Sequence, residues 1–299
     1  MPREAERDAE RRTAWIFVTP ALTVISLMAI FPLGWTVWES LHRHDLRMPW
    51  LGKPFVGIDN YTAVLGDERF REAVLHTAFF TGATVTLEIL LGLFLALSLN
   101  RAFRGLNAAR AAMLVPWALP TVVAALVWRF MFESDTGLVN GVLTALGVLE
   151  QPLVWFARAG AAWIPLIAAD VWKTTPFVAL LILAALQNIP DDLYQAASID
   201  GASPWRQTLH ITLPLLRPAL LVALIFRTLD AFRVFDLVYA MTGGGPGTST
   251  EPIALYTFNA LFQDLRFGYA SALAVLVFVI TAALVAIYVR LLGAPLEER

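Results

Sequence analysis

The chain has 299 residues, of which 58% are hydrophobic and only 15% charged, with a formal net charge of −2. That balance argues against a nucleic-acid partner, and the absence of cysteine excludes a disulfide framework and a thiolate metal site. The apolar residues come in runs too long for a soluble core. Runs of 18 or more with few charges match the roughly 20 residues that cross a bilayer as a helix. The predicted fold class is an all-α integral membrane protein with six transmembrane helices.

In chain order, residues 1–13 form a dense mixed-charge segment, expected on the cytoplasmic side. Six spans follow, near 14–38, 73–99, 108–131, 160–186, 216–241 and 268–292, with a tail at 293–299. The first apolar stretch is longer than a signal-peptide core of roughly 7–15 residues, so it reads as a retained span. Pro20, Pro32, Pro116, Pro120, Pro165 and Pro176 fall inside spans. Membrane helices accept such prolines when neighbours satisfy the freed carbonyls.

Arginine placement sets the expected orientation. The short loop 100–110 carries Arg101, Arg104 and Arg110 with no acid, so it reads as cytoplasmic. Arg3, Arg7, Arg11, Arg12, Arg206, Arg217, Arg290 and Arg299 fall on the same side, which puts both termini in the cytoplasm. Arg43, Arg47, Lys53, Arg69, Arg71, Arg158 and Arg266 fall outside.

The loop 187–214 between the fourth and fifth spans has its own architecture. Pro190 stops what precedes it; Asp192 with Gln195 has capping-box spacing. Leu193, Ala196 and Ala197 share one helical face, Gly201 suits a helix-ending C′ position, and Ser203-Pro204 reads as a second N-cap with proline at N1. Two short helices joined at a glycine, with small residues on one face, allow another protein to approach closely. A surface hairpin without a partner is the alternative.

The run Gln195-Ala-Ala-x-x-Asp-Gly-Ala202, followed by Ile211 and Pro214, resembles the EAA loop of bacterial ABC importer permeases. Further matches occur in order along the chain. Phe55-Val-Gly-Ile-Asp-Asn-Tyr61, Leu114-Val-Pro-Trp-Ala-Leu-Pro120, Gly137-Leu-Val-Asn140, and Phe235-Asp-Leu-Val-Tyr239 with Thr242-Gly-Gly-Gly-Pro246 are similar to the maltose-type sugar branch. Trp172-Lys-Thr-Thr-Pro-Phe177 and Phe226-Arg-Thr-Leu-Asp-Ala-Phe-Arg233 resemble more narrowly the trehalose-importing permeases of actinobacteria.

The resemblance implies an ABC importer permease fold in the bacterial inner membrane. It implies a coupling helix on an ATPase dimer, carried by Gln195, Ala196, Ala197, Asp200, Gly201 and Ala202. It further implies a second homologous permease, an extracytoplasmic sugar-binding protein, and surrounding lipid. Two departures stand out. Gln195 occupies the family's usual glutamate position, and only the 39–72 loop stands where the enteric maltose permease has a large outer domain.

No G-x-x-x-x-G-K-[ST] run occurs, so ATP and Mg are expected on the partner ATPase and no cofactor in this chain. Gly243-Gly-Gly-Pro-Gly247 reads as a flexible outer turn. His42, His44, His76 and His210 lack ligand spacing, and no nucleophile–base set suggests an enzyme, so neither metal nor catalytic residues are expected.

Charges within the spans are costly and mark functional positions by default. Asp170 with Lys173, Arg227 with Asp230, and Arg233 with Asp236 each have i,i+3 spacing and opposite sign. They read either as internal ion pairs or as the polar wall of a sugar site, in which carboxylates accept from hydroxyls and cations donate to them. Family sugar positions carried over through the matching stretches are Asp170, Lys173, Thr174, Phe177, Arg227, Asp230, Ala231 and Val234. Arg129 reads as snorkelling from a span end, and Glu88 has no assigned role beyond a contact with the partner permease. The expected function is import of a sugar, with trehalose or another α-glucoside favoured. The alternative is a secondary transporter driven by an ion gradient, a class that often shows internal repeats; none is visible here.

Overall fold

The computed structural model describes residues 2–100 and 104–292, with side chains from Arg12 to Arg290. The expected tail 293–299, Arg101, and the side chains of Arg3, Arg7 and Arg11 lie outside the described residues. Among the described residues, five helical stretches are long and apolar enough to span a membrane: Arg12–Ser40, Glu68–Leu99, Ala159–Leu186, Pro204–Phe232 and Phe267–Arg290. The bent pair Leu106–Ala118 and Thr121–Met131 is the sixth when taken as one span. The chain divides into two compact units.

The first unit comprises Met1–Asp67 and Thr257–Phe278. Helix α1 (Pro2–Ile25) passes through a π-type turn (Ser26–Ile30) into α2 (Phe31–Ser40). Pro32 cannot donate to the carbonyl four residues back, and Phe31 donates instead to Ser26, which widens the helix by one residue. After α2 the chain doubles back, with Arg43 N donating to Pro54 O and Val56 N to Leu41 O, both at 2.9 Å, before α3 (Asp59–Gly66). The Phe55–Tyr61 motif acts here. Asn60 Nδ2 donates to the carbonyls of Ser40 (2.8 Å) and His42 (3.0 Å), and Tyr61 lies 2.6 Å from Ser40 Oγ. Gly268 makes a close crossing possible, because a Cβ there would stand 2.0 Å from the His42 carbonyl.

The second unit, Glu68–Tyr256 with Val279–Arg299, carries the candidate sites. Its helices are α4 (Glu68–Leu99), α5 (Leu106–Ala118), α6 (Thr121–Met131), α7 (Leu138–Ala145), α8 (Ala159–Leu186), α9 (Asp191–Ile199), α10 (Pro204–Gln207), α11 (Leu213–Phe232) and α12 (Asp236–Met241). Helices α13 (Ile253–Phe258) and α14 (Phe267–Leu292) follow in sequence. Helices α4, α8 and α11 build the core, with Ala96, Leu99, Val178, Ile182, Leu183, Leu186, Leu216 and Ala223 buried together. Asn140 clamps the segment after α7: its amide donates to Ser134 O and Leu153 O and accepts from Trp155 Nε1 and Leu153 N.

Two expected spans differ from a single rod. The third bends by 93° between α5 and α6. Leu119, placed before Pro120, is pushed to φ −73°, ψ 139°, where the helix cannot continue. The fifth was expected to reach residue 241, but α11 ends at Phe232. Arg233 and Val234 donate to carbonyls three residues back (both 3.2 Å), which tightens and ends the helix. Apolar composition continues through α12, which is why the run looks unbroken in sequence. The glycine turn expected to be flexible is held instead by buried Thr250, whose hydroxyl donates to Gly245 O at 2.7 Å and meets Thr242 at 2.9 Å.

Gly92 is where α4 approaches α8 most demandingly. A Cβ there would lie 2.6 Å from Val178 Cγ1 and 3.2 Å from Ala179 N. Gly92→Ala should therefore destabilise by about 1–3 kcal/mol, read as a lower unfolding temperature of the solubilised complex. Adding Val178→Ala should partly restore it; additive losses in the double variant would show that the crossing is not the cause.

Candidate functional site

The loop between α8 and α11 forms a braced helical hairpin. The N-cap of α9 falls two residues before the expected cap at Asp192. Pro190, at φ −61° and ψ 133°, takes the N-cap position, so no carboxylate caps the helix. Asp191 and Asp192 lie in the first turn, where the helix dipole favours negative charge. The C-terminal expectation is met in full. Gly201 stands at φ +75°, Ala202 N donates to Ala197 O (2.9 Å), and Gly201 N donates to Ser198 O (3.1 Å). This is a Schellman closure.

Ser203 caps α10 by accepting from Arg206 N, with Pro204 at N1. Gln207 Nε2 ties the hairpin together, donating to Ser198 Oγ (2.9 Å) and Ala202 O (3.2 Å). Tyr194 meets Thr212 at 3.0 Å. Gln195 and Ala196 are exposed and Ala197 is half-buried. The hairpin also presents Ile199 (87% exposed), Trp205 (70%) and Leu193. Large apolar side chains held out from a rigid hairpin suit a protein partner.

The second site lies between α4, α8 and α11. Arg227 is buried, and its guanidinium binds Glu88 in a fork, Nε to Oε2 at 2.5 Å and Nη2 to Oε1 at 2.8 Å. Nη2 also donates to Asp170 Oδ2 at 3.1 Å, and Nη1 donates to Asp230 Oδ2. The Thr174 hydroxyl sits between Glu88 Oε1 and the Asp170 carbonyl. Of the expected sugar positions, Asp170, Thr174, Arg227 and Asp230 are thus brought together.

The others are placed apart. Phe177 stacks on Trp117 (6.0 Å, 14°) and meets Phe226 edge-on at 6.5 Å. Ala231 is buried in the packed interior, and Val234 is half-buried just past the end of α11. Lys173 is half-buried, and Asp170 pairs with Arg227 rather than with it. Arg233 does not pair with Asp236 either: the helix break intervenes, and its Nε donates to Leu229 O. Arg129 does more than snorkel, since its Nη1 reaches Ala240 O at 3.2 Å and serves a carbonyl at the end of α12. Glu88 is fully buried within this chain, so it is not a contact for a partner permease.

Packed apolar spans, a bent third span, a buried ionic cluster and an exposed hairpin define a multi-span membrane permease. The chain belongs to the family described as binding-protein-dependent transport system inner membrane component, matched over residues 88–294. It is 44% identical to the trehalose/maltose transport system permease protein of Thermococcus litoralis over 94% of both chains. It is 39% identical to the sulfoquinovosyl glycerol transport system permease of Agrobacterium fabrum, covering 98% of this chain and 97% of the relative. Identity to the trehalose transport system permease of Mycobacterium tuberculosis is 38%, covering 98% and 92%. The fold is that of an ABC importer permease: a subunit of a bacterial alginate ABC transporter, solved with a pentasaccharide-bound periplasmic protein, superposes with TM-score 0.80 at 21% identity over 94% of each chain. None of these relatives is named as an ion-gradient-driven transporter.

The cluster has a testable energetic structure. Removing Arg227 strands Glu88 and Asp170 in low dielectric, an effect of about 3–5 kcal/mol. Arg227→Met should therefore sharply reduce assembled complex. Combining it with Glu88→Leu should recover much of that yield, whereas combining it with Asp230→Leu should recover little, because Asp230 is mostly exposed. Gel-filtration yield of the complex is the measurement; equal rescue by both partners would contradict this ranking.

Proposed function

We propose that this chain is the membrane-spanning subunit of an ABC importer that carries a sugar, with trehalose or another α-glucoside disaccharide favoured. It pairs with a second homologous permease, docks two ATPase copies, and receives substrate from an extracytoplasmic sugar-binding protein. ATP and Mg reside on the ATPase. The near-full-length similarity to relatives named for trehalose and maltose carries the sugar reading. The polar cluster supports it, because Asp170 and Asp230 offer carboxylate oxygens to hydroxyl donors within otherwise apolar spans. Thr174 braces this cluster, and Lys173, Phe177, Ala231 and Val234, which lie apart from it, are the remaining positions of the proposed substrate region.

Residues Gln195, Ala196, Ala197, Asp200, Gly201 and Ala202 form the proposed docking element. Closure of the ATPase dimer pushes the hairpin, and the hairpin moves α8 and α11, to which it is directly joined. Gln195 offers a neutral hydrogen bond to the ATPase in place of a salt bridge. Both termini are cytoplasmic in this reading.

The decisive experiment is ATPase stimulation and uptake by the purified complex across a sugar panel. Trehalose or a related α-glucoside should stimulate both, and uptake that proceeds on an ion gradient without ATP would sink the proposal. Orientation has a separate test, made simple by the lack of native cysteine. A cysteine at Ala202 should react with an impermeant maleimide only in opened cells, and one at Thr248 in intact spheroplasts. The reverse pattern would rule out a cytoplasmic hairpin.

Gly201→Val forces a β-branched residue into left-handed backbone, a penalty of about 1–2 kcal/mol or more. The variant complex should assemble and bind the sugar-loaded binding protein, yet lose most stimulated ATPase activity. Gln195→Glu should keep it. Full stimulation in Gly201→Val would argue against a coupling role.

A further inference from the structure

We propose that Arg227 is a positioning residue rather than a sugar contact. Glu88, Thr174 and Asp170 anchor it, so that Asp230 meets the sugar as a fixed hydrogen-bond acceptor. This rests on the sugar reading above and narrows it to one group.

The donors of Arg227 are nearly exhausted. A guanidinium has five N–H groups. Glu88 takes two, Asp170 one and Asp230 one, which leaves a single Nη1 N–H. The side chain is only 3% exposed, so its face towards any ligand is closed. Asp230 is the opposite case. Its side chain is 66% exposed, Oδ2 is held by Arg227, and no partner is found for Oδ1 among the described residues. An exposed carboxylate otherwise samples several rotamers; a fork-held guanidinium at i−3 removes that freedom before the ligand arrives, which is how preorganisation strengthens binding.

Apart from its ion pair with Arg227, the helix gives Asp230 no reason to be acidic. It lies in the last turn of α11, where the dipole disfavours negative charge. Its carboxylate is also by far the most open of the three. Glu88 holds the key position in the anchor. Its two oxygens fix the guanidinium plane, and Thr174 stands beside Oε1. The spacing of a single helix could not reveal this relay, because Glu88 and Arg227 are separated by 139 residues.

The test is ligand titration by NMR on the assembled permease–ATPase complex without binding protein, using trehalose and its monodeoxy analogues. A hydrogen bond to a charged acceptor makes one analogue bind about tenfold or more weaker than trehalose. Asp230→Ala should bring that analogue to within about twofold of trehalose and leave the penalties at the other hydroxyls unchanged. Glu88→Gln should shrink the same gap, at the same hydroxyl, because a loosened guanidinium no longer fixes Asp230. If Glu88→Gln fails to assemble, Thr174→Val carries the same test by removing only the hydroxyl beside Glu88.

Gaps unchanged in Asp230→Ala would overturn the acceptor role. A gap lost in Asp230→Ala but intact in both anchor variants would overturn the relay and leave Asp230 as a contact. Loss at a hydroxyl that only Arg227 variants affect would make Arg227 a direct contact after all. If an ATPase-competent wild-type complex binds trehalose and no analogue is weakened, the relay fails while the sugar reading stands. If it binds no sugar the relay fails, and if no sugar stimulates its ATPase activity with the binding protein present, the sugar reading fails too.

Discussion

One guanidinium inside the bilayer constrains the rest of this structure. An arginine near the middle of a span opposes insertion by about 2.5–3.5 kcal/mol on translocon scales, and leaving it unpaired in a packed interior is worse. Arg227 is tolerated because Glu88 on α4 and Asp170 on α8 both reach it. That requirement fixes α4, α8 and α11 relative to one another in depth and rotation. Apolar packing alone specifies neither, since side chains such as Leu183 and Leu216 would fill a shifted arrangement almost as well. Gly92 then sets how close α4 lies to α8, and the ion pairs hold at that separation.

Proline distributes deformation along the spans in a recognisable way. Pro32 and Pro214 each follow a π-type turn in which the preceding residue donates five residues back, Phe31 to Ser26 and Leu213 to Thr208. The proline's missing donor and its clash with the carbonyl four residues back are absorbed by one extra residue in the turn. Pro120 acts differently, because the extended backbone at Leu119 breaks the span outright. The chemistry is the same in all three places. Whether the helix widens or breaks depends on the residue before the proline keeping helical dihedrals, as Phe31 and Leu213 do and Leu119 does not.

Much of the architecture could be read from local signals. Apolar run length located the long helices, and Gly201, Ser203 and Pro204 announced the hairpin because capping is decided within a few residues of backbone. The cluster was only half legible. The i,i+3 rule correctly joined Arg227 to Asp230, but Asp170 takes Arg227 as its direct partner with Lys173 only a neighbouring charge, and Arg233 turns to Leu229 O instead of Asp236. Such spacing describes neighbours along one helix, whereas a buried charge is satisfied by whichever group the tertiary packing delivers. Glu88 was visible as an acid in an apolar span, and charge balance could have flagged it: an arginine needs a buried partner, and α4 offers no other acid beyond its first turns. The bend at Leu119 is not legible in the sequence, because proline content alone does not separate a kink from a break.

The two sites are physically continuous. Residues 187–212 join α8 directly to α11, and those helices carry Asp170 and Thr174 on one side and Arg227 and Asp230 on the other. From Leu186 to Asp170 is about 24 Å of helix, and from Leu213 to Arg227 about 21 Å, at roughly 1.5 Å per residue. A helix transmits axial displacement over such lengths with little loss, so a force applied at the hairpin reaches both walls of the cluster together. The ion pair between α8 and α11 resists any sliding of one wall past the other, because Asp170 and Arg227 would separate in low dielectric. Motion that preserves the cluster must therefore carry α4, α8 and α11 as one body, because Glu88 binds the same guanidinium. The compliant points are then the π-type turn at Thr208–Thr212 and the break after Phe232, which lie at the two ends of α11.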